Sequence, residues 1–329
     1  MLKYFNRFGI LMVLIFLFII FSILSPAFFT AGNLINVARQ VAMIGISAVG
    51  MTFVILTGGI DLSVGSVIAL TSVTTAIAMA TYNVPPVLAV LIGLLIATTV
   101  GLINGAVVTR FKIPPFICTL GIMTGTRGLS YILTGGLPVY HFPKSFSVIG
   151  QGYILMIPIP VIIMAAVFVF GWIVLNKSRF GRYLYAIGGN AEATRLSGIK
   201  INKNLLMAYV FSGFFTGIAG IVTLSRISSG QPSAGNSFEL DVITAVVLGG
   251  ISIAGGEGRF TGVIYGVLIM GILSNGMVLL NLYDYYQMVV KCIVLLLAVG
   301  FDQYVKARVL KTPKETMLGS GSPQIGASQ

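Results

Sequence analysis

Ten long apolar runs, broken mainly at proline and glycine, constrain this chain more than any other feature. They cover residues 8–24, 41–56, 64–80, 87–108, 116–133, 154–175, 205–224, 240–254, 260–280 and 285–301. A helix crosses a bilayer with roughly 20 mostly apolar residues. The breaks fall where helices stop, at Ser25-Pro26, Pro85-Pro86, Pro114-Pro115 and Gly135-Gly136. Only 9% of the 329 residues are charged and 57% are hydrophobic, whereas a soluble domain needs about 25% charged residues for its surface. That excludes a soluble globule, a disordered chain and a disulfide-stapled module. A β-barrel would show short alternating strands, and none of useful length occurs. The expectation is an all-α, polytopic integral membrane protein with about ten transmembrane helices over residues 1–304. Residues 305–329 read as a flexible cytoplasmic tail.

The net charge of +12 raises the question of nucleic acid, and charge placement answers it. With the N-terminus inside and ten spans threaded, 15 of the 20 Lys and Arg residues fall on inner segments, 3 on outer segments and 2 within spans. That asymmetry is the positive-inside pattern, so both termini are expected in the cytoplasm and no nucleic-acid partner is expected. Loop 226–239 then falls outside. The first run follows Lys3 and Arg7 but lacks a small-x-small cleavage site, so it reads as an uncleaved span.

Little here could do covalent chemistry. The single histidine, His141, and the two cysteines, Cys118 and Cys292, are too few and too far apart for a metal cluster. No catalytic residue is expected. Among ionisable groups inside spans, Lys291 lies near a helix end and can snorkel. Arg127 is deeper, open to either structural pairing or pathway lining. Asp61, among Gly58, Gly59 and Gly65, either caps the next helix in a short cytoplasmic turn or lines an inner gate. A faint internal echo joins the turn from Thr57 to one 191 residues later, around Gly249 and Gly250. Transporters build paired gates from such repeats.

The longest inner loop contains a capped helix. Asn190 is a good N-cap and Gly198 a good C′ residue, with Ala191 to Ser197 between them. Glu192 and Arg195 suit the helix dipole and lie three residues apart, close enough to pair. Such a helix is either a connector resting on headgroups or a docking element for a soluble partner.

These residues carry a resemblance. Residues 181–199, GRYLYAIGGNAEATRLSGI, are similar to the coupling segment of monosaccharide ATP-binding-cassette importer permeases, the ribose permease family. The family pattern also matches 50–66 (GMTFVILTGGIDLSVGS), 229–235 (SGQPSAG), 239–241 (ELD), 247–250 (VLGG) and 285–291 (YYQMVVK). The resemblance implies that residues 1–304 are the importer's transmembrane permease domain, in the cytoplasmic membrane of a bacterium. It implies a homodimer forming the sugar pathway, a separate ATPase subunit that binds ATP and magnesium, and a periplasmic or lipid-anchored sugar-binding protein. No cofactor is expected on this chain, which has no Gly-Lys phosphate loop. Asn190, Glu192, Ala193, Arg195, Leu196 and Gly198 are then the ATPase-coupling residues. Asp61, Gly58, Gly59, Gly249, Gly250 and Arg127 are gate or pathway candidates. Arg39, Lys144, Arg226 and Glu239 are candidates for docking the binding protein. An ion-coupled secondary transporter and a permease for branched-chain amino acids are the alternatives. No acid sits at a span centre, which disfavours the first, and the long GGIDLSVG match favours sugar over the second.

Overall fold

The computed structural model describes residues 2–311. Helices α1 (Leu2–Leu24), α2 (Ala31–Leu56), α3 (Val64–Ala80), α4 (Pro86–Arg110) and α5 (Pro115–Thr134) follow in order. After a 3-10 turn at Lys144–Ser147 come α6 (Val148–Gln151) and a two-stranded antiparallel hairpin, β1 (Tyr153–Ile154) with β2 (Ile157–Pro158). The chain continues through α7 (Ile159–Lys177), α8 (Arg179–Gly189), α9 (Ala191–Leu196) and α10 (Ile201–Ile227). It ends with α11 (Phe238–Leu248), α12 (Phe260–Leu279) and α13 (Asp284–Lys311). Of the expected tail, residues 312–329 lie outside the described residues.

A helix that is apolar on all sides must be buried in protein or lipid, and the bundle uses both solutions. From Val41 onward α2 is almost wholly buried, as is α3. Both pack against α10, which crosses α4 where Gly101 and Gly213 let the two backbones meet. Gly217, Gly220, Gly266 and Gly271 each abut a neighbouring helix, and Gly262 abuts the turn at Gly249. At the periphery, Phe16 on α1, Leu95 on α4, Ile132 on α5 and Leu297 on α13 stay exposed. An exposed apolar band of this extent fits hydrocarbon, not water.

Among the described residues, seven helices are long and apolar enough to cross a membrane: α2, α4, α5, α7, α10, α12 and the part of α13 from Asp284 to Tyr304. The protein is therefore a polytopic all-α membrane protein. One expected span needs correction. Run 240–254 is not one helix, because α11 stops at Leu248 and residues 249–259 unwind. Its 11 residues reach about 16 Å at 1.5 Å per residue, half of the roughly 30 Å hydrocarbon core. The helix expected from residue 154 also begins later, at Ile159, because residues 153–158 form the hairpin.

Candidate functional site

Helix α9 is capped at both ends as its sequence demands. The Asn190 side chain accepts a hydrogen bond from Ala193 N at 2.9 Å. At the other end Gly198 has φ +80°, Gly198 N donates to Arg195 O, and Ile199 N donates to Thr194 O. Those paired bonds form a Schellman closure, which needs a left-handed residue at C′. Arg195 and Glu192 pair at 2.5 Å on the open face, with side chains 67% and 65% exposed. Ala191, Ala193 and Leu196 are exposed too, Leu196 at 79%. Only Thr194 turns inward, donating to Ala186 O at 2.8 Å and to Asn190 O at 2.7 Å. The product is a small rigid knob, one charge pair and one bare leucine, projecting from the bundle.

What carries the knob is α8, which sequence reasoning missed. Ser178 caps it, and Gly181, Leu184 and Ile187 are buried while Arg179 and Arg182 are exposed. The spacing of Leu184 and Ile187, with basic residues opposite, is the signal that could have found it. The C-terminal end of α8 presses on the bundle with bare backbone. A Cβ at Gly188 would overlap the Leu56 carbonyl oxygen and the backbone of Gly255 and Gly256. Gly256 N donates to Leu56 O at 2.9 Å, and the Tyr185 hydroxyl donates to Gly258 O at 3.3 Å. Burial pushes the Tyr185 phenol above its ordinary value, so it stays a donor. The knob thus rests on the junction where α2 ends and the α11–α12 turn passes.

Gly58, Gly59, Gly249 and Gly250 lie in the two turns that border this junction. Gly58 has φ +80° and Gly250 has φ +84°; each closes its helix by the same Schellman pair, Gly59 N to Val54 O and Ile251 N to Val246 O. The equivalent residues are therefore 192 apart, one step off the register read from the sequence.

Asp61 lies in the turn between α2 and α3, as the sequence indicates, but buried inside the bundle at 2% exposed. Oδ1 accepts from Ser63 N at 3.0 Å and Ser63 Oγ at 2.6 Å, and Oδ2 accepts from Ser212 Oγ at 2.8 Å. Ser63 Oγ in turn accepts from Asn104 Nδ2 at 2.8 Å. The carboxylate thus ties the unwound segment to α10 and, through Ser63, to α4. A cavity of about 290 Å³ opens nearby, lined by Thr57, Gly58, Gly59, Thr109, Lys112 and Tyr209 among others.

Arg127 pairs with backbone rather than with an acid: its Nη1 donates to Pro232 O at 2.8 Å and Ala234 O at 2.6 Å. Lys291 does not simply snorkel. Its Nζ meets Asp241 Oδ2 at 2.6 Å, tying α13 to α11, with side chains 23% and 12% exposed. Of the four docking candidates, Arg39, Arg226 and Lys144 gather at one end of the bundle. Arg39 donates to Gln151 O at 2.8 Å and stacks over Tyr153, Gln151 donates to Arg226 O, and Lys144 is exposed on the 3-10 turn packed against α6 and α10. Glu239 stands apart, half-buried against Gly65 and within the field of Arg127. The reason is that loop 226–239 turns inward instead of staying at the surface. No group of three or more His, Cys, Asp or Glu residues that could hold a metal exists among the described residues.

With this geometry in view, a family model described as "Branched-chain amino acid transport system / permease component" matches residues 33–299. The ribose import permease protein RbsC of Bacillus subtilis is 48% identical over 300 residues, covering 91% of this chain and 93% of its own length. RbsC of Escherichia coli K12 is 46% identical over 296 residues, 89% and 92% of the two chains. The L-arabinose transport system permease protein AraH of Escherichia coli K12 is 40% identical over 301 residues, 91% of each. No solved structure matches the chain.

Proposed function

Because the chain belongs to the transport-system permease family that includes the ribose and arabinose import permeases, we propose that it is the membrane subunit of an ATP-driven monosaccharide importer. Two copies enclose the sugar pathway in the cytoplasmic membrane of a bacterium. Each copy threads ten apolar segments with both termini in the cytoplasm, which keeps most Lys and Arg inside. A separate ATPase subunit binds ATP and magnesium and docks on α9. A sugar-binding protein delivers substrate to the opposite end, against Arg39, Lys144 and Arg226. Ribose is the first sugar to test, since ribose permeases are the most similar of the relatives named above.

One observation carries this reading. The exposed, doubly capped α9 is joined rigidly to α8, and Gly188 of α8 sits backbone-to-backbone on the end of α2 and the α11–α12 turn. A push on the knob reaches both gate turns without a flexible side chain between. Purified complex in proteoliposomes tests the reading: sugar-loaded binding protein is expected to raise ATP hydrolysis several-fold and drive sugar uptake. ATP hydrolysis indifferent to loaded binding protein, with uptake following an ion gradient instead, would reject it.

A further inference from the structure

The segment between α10 and α11 enters the bundle as irregular chain. Gly230 pairs with Val139 through two backbone hydrogen bonds of 2.9 Å and packs on Ser72 and Ala76 of α3. Five residues on, Gly235 packs on Gly65, near the start of the same helix. From Ser72 to Gly65 α3 rises about 10 Å at 1.5 Å per residue, so the segment descends a comparable distance. At such depth, irregular backbone persists only when buried in protein or lining water. The inner side of this segment is satisfied by protein: Arg127 binds the Pro232 and Ala234 carbonyls, and Ala234 N and Asn236 N close turns onto Gln231 O and Ser233 O. The outer side is not covered, and Ser233 and Asn236 are exposed. Beside them on α5, Thr124 shares the face of Arg127 and is exposed, and nothing lies over Gly121, Gly125 or Gly128.

We infer that Ser233, Asn236 and Thr124 line the path itself and hydrogen-bond a neutral, polyhydroxylated solute of monosaccharide size as it crosses. Hydrocarbon cannot solvate hydroxyl and amide groups, so this face meets water or a solute that replaces water. The side chains it presents, two hydroxyls and an amide, are neutral, while Arg127 is turned to two backbone carbonyls. Hydroxyls and an amide exchange water for sugar hydroxyls at little net gain, which suits a path that must release what it accepts. The open glycines leave room for the ring. This assignment rests on the importer reading above and names the residues that reading leaves open.

The test uses the full complex in proteoliposomes. In Ser233→Leu and Asn236→Leu, the sugar moved per ATP hydrolysed is expected to fall about two- to tenfold, the factor attached to the net loss of one hydrogen bond. Size-exclusion chromatography checks that each variant assembles. Independently, Thr124→Cys, Ser233→Cys and Asn236→Cys, in a background with Cys118 and Cys292 replaced by alanine, are expected to react with a small anionic methanethiosulfonate and lose transport on reaction. Wild-type sugar-to-ATP ratios in both leucine variants would overturn the assignment. So would thiols that resist the reagent and form disulfides between two copies instead, which would make this face a dimer contact. If the unaltered complex shows no stimulation by loaded binding protein, the importer reading has failed rather than this one.

Discussion

After α2 the chain closes its helix at Leu56-Thr57-Gly58, and after α11 it closes at Leu248-Gly249-Gly250, with the same left-handed glycine and the same paired hydrogen bonds. From there the two turns part. The first runs into the bundle, where Asp61 joins Ser63 and Ser212 and, through Ser63, Asn104. The second loops out through Gly255 and Gly256 beneath the end of α8. Both touch the end of α8 at Gly188, and among the described residues only the first is also knitted to α4 and α10. Identical local closure therefore serves two mechanical ends: an anchored turn, and a turn positioned to be driven. Helix α11 suits the second role, being half a span long and held to α13 by the Asp241–Lys291 pair.

The largest effect is expected where the driven side loses its tether. Lys291→Met leaves Asp241 buried without its cation, a loss of about 3–5 kcal/mol for pairs of this kind. Thermal unfolding of the purified permease should drop markedly, and adding Asp241→Leu should restore much of it. If Lys291→Met melts like the parent protein, the tether is idle. Next is the junction: Gly188→Val forces a side chain into the Leu56 and Gly256 backbone, with overpacking of about 1–3 kcal/mol. Transport is expected to fail while the ATPase subunit still binds, measured by co-purification alongside uptake.

The anchored side should behave differently. Asp61→Asn weakens charge-assisted hydrogen bonds worth about 1.5–3 kcal/mol each but keeps the shape and most contacts, so the net loss is about 1–2 kcal/mol. It should lower transport and leave ATPase binding near the parent level; weaker ATPase binding would erase the distinction between the two turns. Smallest is Tyr185→Phe, which removes one hydrogen bond to Gly258 worth about 1 kcal/mol. Its expected signature is a modest fall in sugar moved per ATP, with assembly unchanged.

The parts legible in the sequence are those whose signals are local. Asn190, Gly198 and the Glu192–Arg195 spacing describe α9 because caps and i,i+3 pairs involve neighbours along the chain. Apolar runs located the helices for the same reason. Run 240–254 misled because apolarity reports burial and not helicity: Ile251 and Ser252, past the end of α11, are as buried as the helix itself. Asp61 was visible as an acid in a glycine-rich turn, and Lys291 and Arg127 as charges inside apolar runs. Their partners Ser212, Asp241 and the Pro232 carbonyl lie 151, 50 and 105 residues away, beyond any local pattern. The inward course of residues 228–237 was hidden likewise: its polar composition resembles a surface loop, and only the contact of Gly235 with Gly65 reveals its depth.

The central claim is that energy enters through α9 and passes to the two turns, and α9 itself offers the most direct test. Glu192→Lys reverses a charge in the first turn of the helix, about 0.3–1 kcal/mol in the isolated subunit, while Gly198→Val sets a branched side chain at φ +80°. Neither touches the bundle core. The measurement is co-purification of the ATPase subunit with each variant, together with uptake in proteoliposomes. The account predicts permeases that insert and dimerise normally, bind the ATPase weakly and transport little. Assembly and uptake at parent rates in both variants would contradict it, leaving α9 a connector resting on the headgroups.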